Sequence, residues 1–240
     1  KPWVKVGISP FGIARPGVPA GIQAGVDQYE QLGADVCRWL REDWCDYLTP
    51  QLYWPIDQPG QSFATLLPWW ASQMHGGRHL WPGLNTSRAV VGAAPWRRHE
   101  IAQQIALLRA QPGASGHVHF SFRVLADNQG GLAGNLRTGA YHERAVVPAS
   151  PWLGGTAPLP PRVEWQRRER DALLLPVAAG DTAWLAFQVL RGGRWRTEGV
   201  MPGNTGPVAL DGNDASAIAV TPIDRFGAAG AARIVLLPAR

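Results

Sequence analysis

Asp46-Tyr47-Leu48-Thr49-Pro50-Gln51-Leu52-Tyr53-Trp54 is the stretch on which the fold turns. It is short, apolar and aromatic, it reads as a β-strand, and helical patterns stand on both sides of it. Upstream, Asp27 to Arg41 is predicted as one helix. Asp27-x-x-Glu30 has the form of a capping box, and Tyr29, Leu32, Val36 and Leu40 recur at helical spacing. Downstream, Ser62 to Met74 is predicted as a second helix, with Phe63, Leu66, Leu67 and Trp70 on one face. Pro68 inside it is expected to kink or shorten it, because proline lacks the N–H of the helical ladder. A strand flanked by helices with short connections is one step of an alternating α/β chain.

The same step recurs along the chain. Val4–Ser9 is a strand candidate, followed by a Gly/Pro-rich loop from Phe11 to Gly25. His79–Leu84 is a third strand, and Pro95 to Gln111 a third helix, with proline in its first turn and Ile101, Ile105 and Leu108 on one face. Gly116–Phe122 is a fourth strand and Gly131 to Glu143 a weaker helix. Four strand–helix units imply a parallel α/β sheet. A complete (β/α)8 barrel takes about 250 residues. Residues 1–146 are therefore expected to form half of a TIM-like barrel, and the chain to be a fragment whose targeting segment lies upstream.

Residues 147–161, Pro- and Gly-rich, read as a linker. Beyond them the pattern changes to short strand candidates spaced by turn signals: Val163–Trp165, Ala172–Val177, Trp184–Leu190, Trp195–Gly199, Pro207–Leu210, Ala217–Thr221 and Ala232–Leu237. Such spacing predicts an all-β sandwich of immunoglobulin or fibronectin type over residues 162–240. No residue in it is singled out as a site, and Trp184 and Trp195 are read as core.

The chain carries a net charge of +5 with Lys only twice, so its basic character is nearly all Arg. The arginines are scattered and do not form a stripe with interleaved aromatics, so no nucleic-acid partner is expected. No apolar run approaches the roughly 20 residues of a membrane helix, so no membrane-spanning segment is expected. Cys37 and Cys45 lack metal-ligand spacing and are read as free thiols. His117 and His119 share a strand face, but a metal needs a third ligand and none is evident; no metal or cofactor is expected. Twelve tryptophans in 240 residues tilt the composition toward a carbohydrate ligand, whose pyranose faces stack on indoles.

In a (β/α)8 barrel, reactive groups project from the C-terminal ends of the strands. Those ends carry Ser9, then Gln51, Tyr53 and Trp54, then Trp81 and Asn85, then Ser121, with Arg88 just beyond. Gln51 and Tyr53 are two residues apart and share one side of their strand. Each has a plainer reading: Gln51 and Tyr53 as a core hydrogen-bonded pair, Trp54 and Trp81 as packing, Asn85 as a loop cap, Arg88 as a surface ion pair, and Ser9 as a consequence of the proline that follows it. Glycoside hydrolysis ordinarily needs two carboxyls. Asp57 and Asp127 lie shortly beyond strand ends, and Asp57, before Gln58-Pro59-Gly60, reads equally well as a turn residue.

The runs KVGISPFGIARPG (5–17), DYLTPQLYWPI (46–56), FATLLPWW (63–70), RHLWPGLNTSR (78–88) and GHVHFSF (116–122) resemble the bacterial glycosyl hydrolase-like family ten. The resemblance implies that these strands are the fifth to eighth of the barrel. It also implies a fibronectin-like C-terminal domain, a bacterial cell-wall glycan as substrate, and a secreted, periplasmic or lipoprotein location. The family's acidic run follows the fourth strand, upstream of the matching region. Ala14 stands where the family usually has Trp. Together these readings assign the protein to O-glycosyl hydrolysis of peptidoglycan-type glycan. Tyr53 and Asp57 are the candidate catalytic residues; Ser9, Gln51, Trp54, Trp81, Asn85, Arg88 and Ser121 are the candidate binding residues. The alternatives are a non-catalytic carbohydrate-binding envelope scaffold and an inactive half-barrel missing its N-terminal half.

Overall fold

Leu48, Leu52, Leu80 and Leu84 are all fully buried in one apolar cluster with the helices. The residues between them, Thr49, Gln51, Trp81 and Gly83, point to the opposite face of the sheet, as the two-residue period of a strand requires. A computed structural model describes residues 1–91, 96, 97 and 99–238. The chain divides into two units, Val4–His142 and a second made of Lys1–Trp3 with Glu143–Arg240.

In Val4–His142 the strands are short. β1 (Gly7–Ile8), β2 (Tyr47–Leu48) and β3 (His79–Leu80) pair in that order, all parallel. β4 (Gly83–Leu84) pairs parallel with β5 (Val118–His119). Parallel bridges Phe11–Gln51, Gln51–Gly83 and Leu80–Ala114 continue the pairing past the strand ends. β3 and β4 are thus two parts of one extended run interrupted at Trp81-Pro82. The extended runs lie side by side in chain order.

The helices depart from expectation at particular residues. The predicted helix Asp27–Arg41 is two: α1 (Gln28–Leu32) and α2 (Val36–Arg41). Gly33 takes the left-handed conformation (φ 64°) and closes α1, and Asp35 caps α2 by accepting the Arg38 N–H at 3.0 Å. A left-handed stop followed by a new cap overrides the helical spacing across them. Val36 and Leu40 are buried, whereas Tyr29 and Leu32 are exposed, Leu32 at 69%. Asp27 caps α1 as expected, accepting from the N–H groups of Tyr29 and Glu30, but Glu30 pairs with Arg15 at 2.8 Å instead of completing the box.

α3 (Phe63–Gln73) continues as one helix past Pro68; Pro68 and Ala64, whose carbonyl loses its partner, both lie on the exposed face, where solvent can reach that carbonyl. α4 (Thr86–Val90) and α6 (Phe122–Ala126) were not foreseen. α5 (Glu100–Ala110) buries Ile101, Ile105 and Leu108; the proline expected in its first turn, Pro95, lies outside the described residues. α7 (Leu132–Thr138) ends at Gly139, short of the predicted Glu143.

His117 and His119 face the helical side and both bond through Nε2 to the Tyr141 hydroxyl. Arg109 donates to the Ala140 carbonyl at 2.6 Å and holds this corner to α5. Burial lowers both imidazoles to about 4 and pushes the Tyr141 phenol up to about 12. No group of three His, Cys, Asp or Glu among the described residues is arranged to hold a metal.

In the second unit all seven predicted strands have counterparts: β6 (Arg162–Arg168), β7 (Asp171–Val177), β8 (Trp184–Arg191), β9 (Arg194–Pro202), β10 (Val208–Asp211), β11 (Ala215–Ile223) and β12 (Arg233–Leu236). They form two antiparallel sheets, ordered β10-β7-β6 and β12-β11-β8-β9. Leu174 and Leu210 of the first meet Leu185, Phe187, Val189, Ile218 and Val220 of the second in one core, the packing of a β-sandwich. Trp184 and Trp195 are not core: Leu185, Phe187 and Val189 point inward, so Trp184 faces out. Residues 147–161 are packed on this unit. Ser150 is fully buried and its N–H bonds the Phe226 carbonyl at 2.8 Å. No helix among the described residues is long and apolar enough to cross a membrane.

His117 and His119 give the first unit an acid limit. In the unfolded chain each binds a proton near its ordinary 6.5, in the folded protein only near 4. Unfolding therefore takes up protons between those values, and stability falls as pH drops from about 6.5 to about 4. Thermal melts across that range should show a falling midpoint for the wild type and a flatter profile for H117N/H119Q.

Candidate functional site

The loops after the strands are fastened by buried polar side chains from the helices. Trp70 of α3 donates its indole N–H to the Gly12 carbonyl at 2.8 Å, and Gln28 of α1 donates to the carbonyls of Phe11 and Ile13. A Cβ on Gly12 would lie 2.1 Å from the Gln51 carbonyl oxygen, so only glycine permits the two loops to approach this closely. On the other side, Glu100 of α5, buried, accepts the Ile56 N–H at 2.6 Å and the Gln104 amide at 3.0 Å. Gln104 in turn donates to the Trp54 carbonyl at 3.0 Å. The backbone of Trp54-Pro55-Ile56 is thus held from beneath by two side chains one helical turn apart.

On this support opens a cleft of about 530 Å3, lined by Tyr53, Trp54, Gln58, Gln61, Asn85 and Arg88, with Trp96 at its border. Its volume is in the range of small-ligand sites. Tyr53 stacks on Phe120 with ring centroids 5.4 Å apart, and Gly83 leaves the room its ring occupies. Burial raises the Tyr53 phenol above its ordinary value, so at neutral pH it is a protonated donor. Trp54 is held edge-on against Phe11, centroids 5.6 Å apart. Asn85 caps α4, accepting the Arg88 N–H at 3.0 Å, and its residue still borders the cleft. Two indoles, a phenol, three amides and a guanidinium suit a polyhydroxylated ligand: rings stack, amides bond hydroxyls in both directions.

Of the residues expected at the site, Tyr53, Trp54, Asn85 and Arg88 line this one cleft. The others lie elsewhere. Gln51 donates to the Ser9 carbonyl at 3.2 Å and approaches its hydroxyl at 3.5 Å, a pairing between neighbouring extended runs. Trp81 sits two residues before Gly83, nearer the strand starts. Its indole donates to Ser115 at 3.0 Å, and its ring lies 5.0 Å from His79 and 4.6 Å from Tyr47. Ser121 pairs with Ser87, hydroxyl to hydroxyl at 3.2 Å. Asp57 borders an adjoining pocket and is tied to Arg97 at 3.0 Å. Asp127 is engaged by Arg123 within α6. Among the described residues lining the cleft there is no carboxylate. Gln58, Gln61 and Trp96 went unforeseen; two amides in a Pro-Gly loop just past a strand end were the available signal.

Residues 1–108 match the model of a family described as Glycosyl hydrolase-like 10. Over that segment the chain is similar to the members of this family. It is 33% identical over 211 residues to "Glycosyl hydrolase YngK" of Bacillus subtilis, covering 82% of this chain and 41% of that protein. It is 36% identical over 74 residues to "Glycosyl hydrolase DigH" of Escherichia coli K12, covering 30% of this chain and 17% of that one. The chain thus spans less than half the length of these curated relatives. Among solved structures it is similar to the Clostridium perfringens spore cortex lytic enzyme SleM, at a TM-score of 0.28 and 10% identity over 80% of this chain and 67% of that one, a likeness too slight to carry an argument. The segment matching Glycosyl hydrolase-like 10 contains every residue that lines the cleft.

Glu100 is the positioning residue of this cleft. Glu100→Ala would leave the Ile56 N–H and the Gln104 amide without their buried acceptor, at a cost of about 2–3 kcal/mol. Denaturant unfolding of E100A should show that loss, and E100Q should recover part of it, since an amide oxygen still accepts.

Proposed function

We propose that Val4–His142 is half of a (β/α)8 glycoside hydrolase barrel, and that the longer protein hydrolyses O-glycosyl bonds of a peptidoglycan-type glycan. The observation that carries the reading is the cleft at the strand ends, with Tyr53, Trp54 and Arg88 on one wall-to-wall span of about 530 Å3. The parallel runs in chain order support the half-barrel. So does the place of β1 and β5 at the two ends of that order, where a barrel would continue the sheet. The match to the Glycosyl hydrolase-like 10 model supports the hydrolase class. A secreted or envelope location follows from the same substrate class. The sheet orders of the sandwich support a fibronectin-like domain, here a spacer or docking module.

In this reading Tyr53 donates a hydrogen bond to a substrate oxygen, Trp54 and Trp96 stack on sugar faces, and Arg88 and the amides hold hydroxyl or acetamido groups. The carboxyls that exchange protons come from outside this cleft's described lining. On peptide-free glycan strands, W54A and R88A of the full chain should each weaken binding about tenfold by calorimetry. In the longer protein Y53F should lose most of its turnover. Wild-type affinity in both W54A and R88A would overturn the reading.

One observation favours a second reading, a binding scaffold without catalysis: among the described residues the cleft lining holds no carboxylate, and Asp57 is paired with Arg97. A glycan-strand digestion assay on the longer protein separates the two, since a scaffold releases no products at any pH while still binding.

A further inference from the structure

The sandwich unit has an open pocket of about 520 Å3 of its own, lined by Trp3, Thr182, Trp184, Asn204 and Arg225. It lies away from the core of that unit. Trp184 is the first residue of β8; its neighbour Leu185 faces inward, so its indole stands outward, 47% exposed. Trp3 is 37% exposed, and the Arg225 guanidinium lies over its ring, 4.7 Å from the centroid. Two large indoles left half in water cost the fold apolar burial that Leu or Val at those positions would not, and that is the arrangement of a surface awaiting a ligand.

The backbone that carries these side chains is tightly made. The Ala183 N–H bonds the Ile223 carbonyl at 2.8 Å, and the Gly203 N–H bonds the Ala183 carbonyl at 2.8 Å. A Cβ on Gly203 would lie 2.2 Å from the Thr182 carbonyl oxygen, so glycine is needed where those two segments meet. Arg225 sits on a turn held by Asp224. That buried carboxylate accepts the N–H groups of Phe226 and Ala228, each at 2.8 Å, and so turns inward, away from Arg225. No carboxylate of the described residues pairs with Arg225, and none lines the pocket. Both walls and cation are therefore positioned in advance, and the cation, stacked on Trp3, has no carboxylate of the described residues paired with it.

We infer that this pocket is a second glycan-binding site, selective for a saccharide that bears a carboxylate. The apolar C–H face of a pyranose meets the electron-rich face of Trp184, Asn204 bonds ring substituents, and Arg225, stacked on Trp3, takes the carboxylate in a charge-assisted pair. The site stands on the sandwich alone and does not need the cleft; only the choice of cell-wall strands as probe rests on the function proposed above.

The test uses the full chain, peptide-free glycan strands carrying muramic-acid carboxylates, and the same strands with those carboxylates amidated. To keep the two sites apart, calorimetry is run in a W54A/R88A background, in which the cleft is disabled. Residual binding there is expected, with W184A and R225Q each lowering it at least tenfold. Amidated strands should bind at least fivefold more weakly than native ones to the background protein, and equally to R225Q. Both side chains are exposed, so melting midpoints should match the background; a variant that does not fold is replaced by W184F, expected to retain most binding, or R225K, expected to retain the preference for native strands. No residual binding in the W54A/R88A background, or unchanged affinity in W184A and R225Q, would overturn the second site. Equal affinity for native and amidated strands would overturn its selectivity. Loss of the cleft's contribution alone would leave it standing.

Discussion

Everything in the first unit depends on which way the strands of the parallel sheet face. Leu48, Leu52, Leu80 and Leu84 are taken out of water by the helices, each burial contributing roughly 2 kcal/mol. A slip of one residue would exchange these leucines for Thr49, Gln51, Trp81 and Gly83, so the register is fixed strongly. With that register the opposite face is aromatic and polar: Tyr47, His79 and Trp81 pack together at the strand starts, and Tyr53 and Phe120 at the strand ends.

The glycines on that face are part of the same constraint. Added Cβ atoms at Gly7 and Gly116 would press into the rings of Tyr47 and Trp81, and one at Gly83 into Tyr53. Each large ring is given space by a glycine on a neighbouring run. The cleft inherits its shape from this alternation, and its wall from helix α5, where Glu100 and Gln104 hold the loop between Trp54 and Ile56. A buried carboxylate is spent here on the Ile56 N–H and the Gln104 side-chain amide, which ties the loop to helix α5.

Tryptophan serves two purposes in this chain. Trp70 is wholly buried and finds a carbonyl for its N–H at Gly12, the condition under which an indole can be core. Trp54, Trp96, Trp3 and Trp184 instead border open pockets. The high tryptophan content therefore divides into a structural part and a surface part, and the surface part is shared between the family segment and the sandwich.

Periodicity alone determined the class of each half: alternating strands and helices before residue 143, seven strands after it, with Leu185, Phe187 and Val189 facing in. Those patterns are local, and burial follows them wherever a single face must leave water. The motif runs carried the likeness to the family for the same reason, since they hold the strand ends and the glycines that fit them. Only the tertiary structure decided which polar residues meet. Ser9 with Gln51, Trp81 with Ser115, Ser121 with Ser87, and Glu100 with Ile56 are pairs 34 to 44 residues apart. The choice among such partners is made by packing distances that no local spacing encodes. It is also why Tyr53, Trp54, Asn85 and Arg88 share a cleft with Gln58, Gln61 and Trp96 rather than with the other strand-end residues.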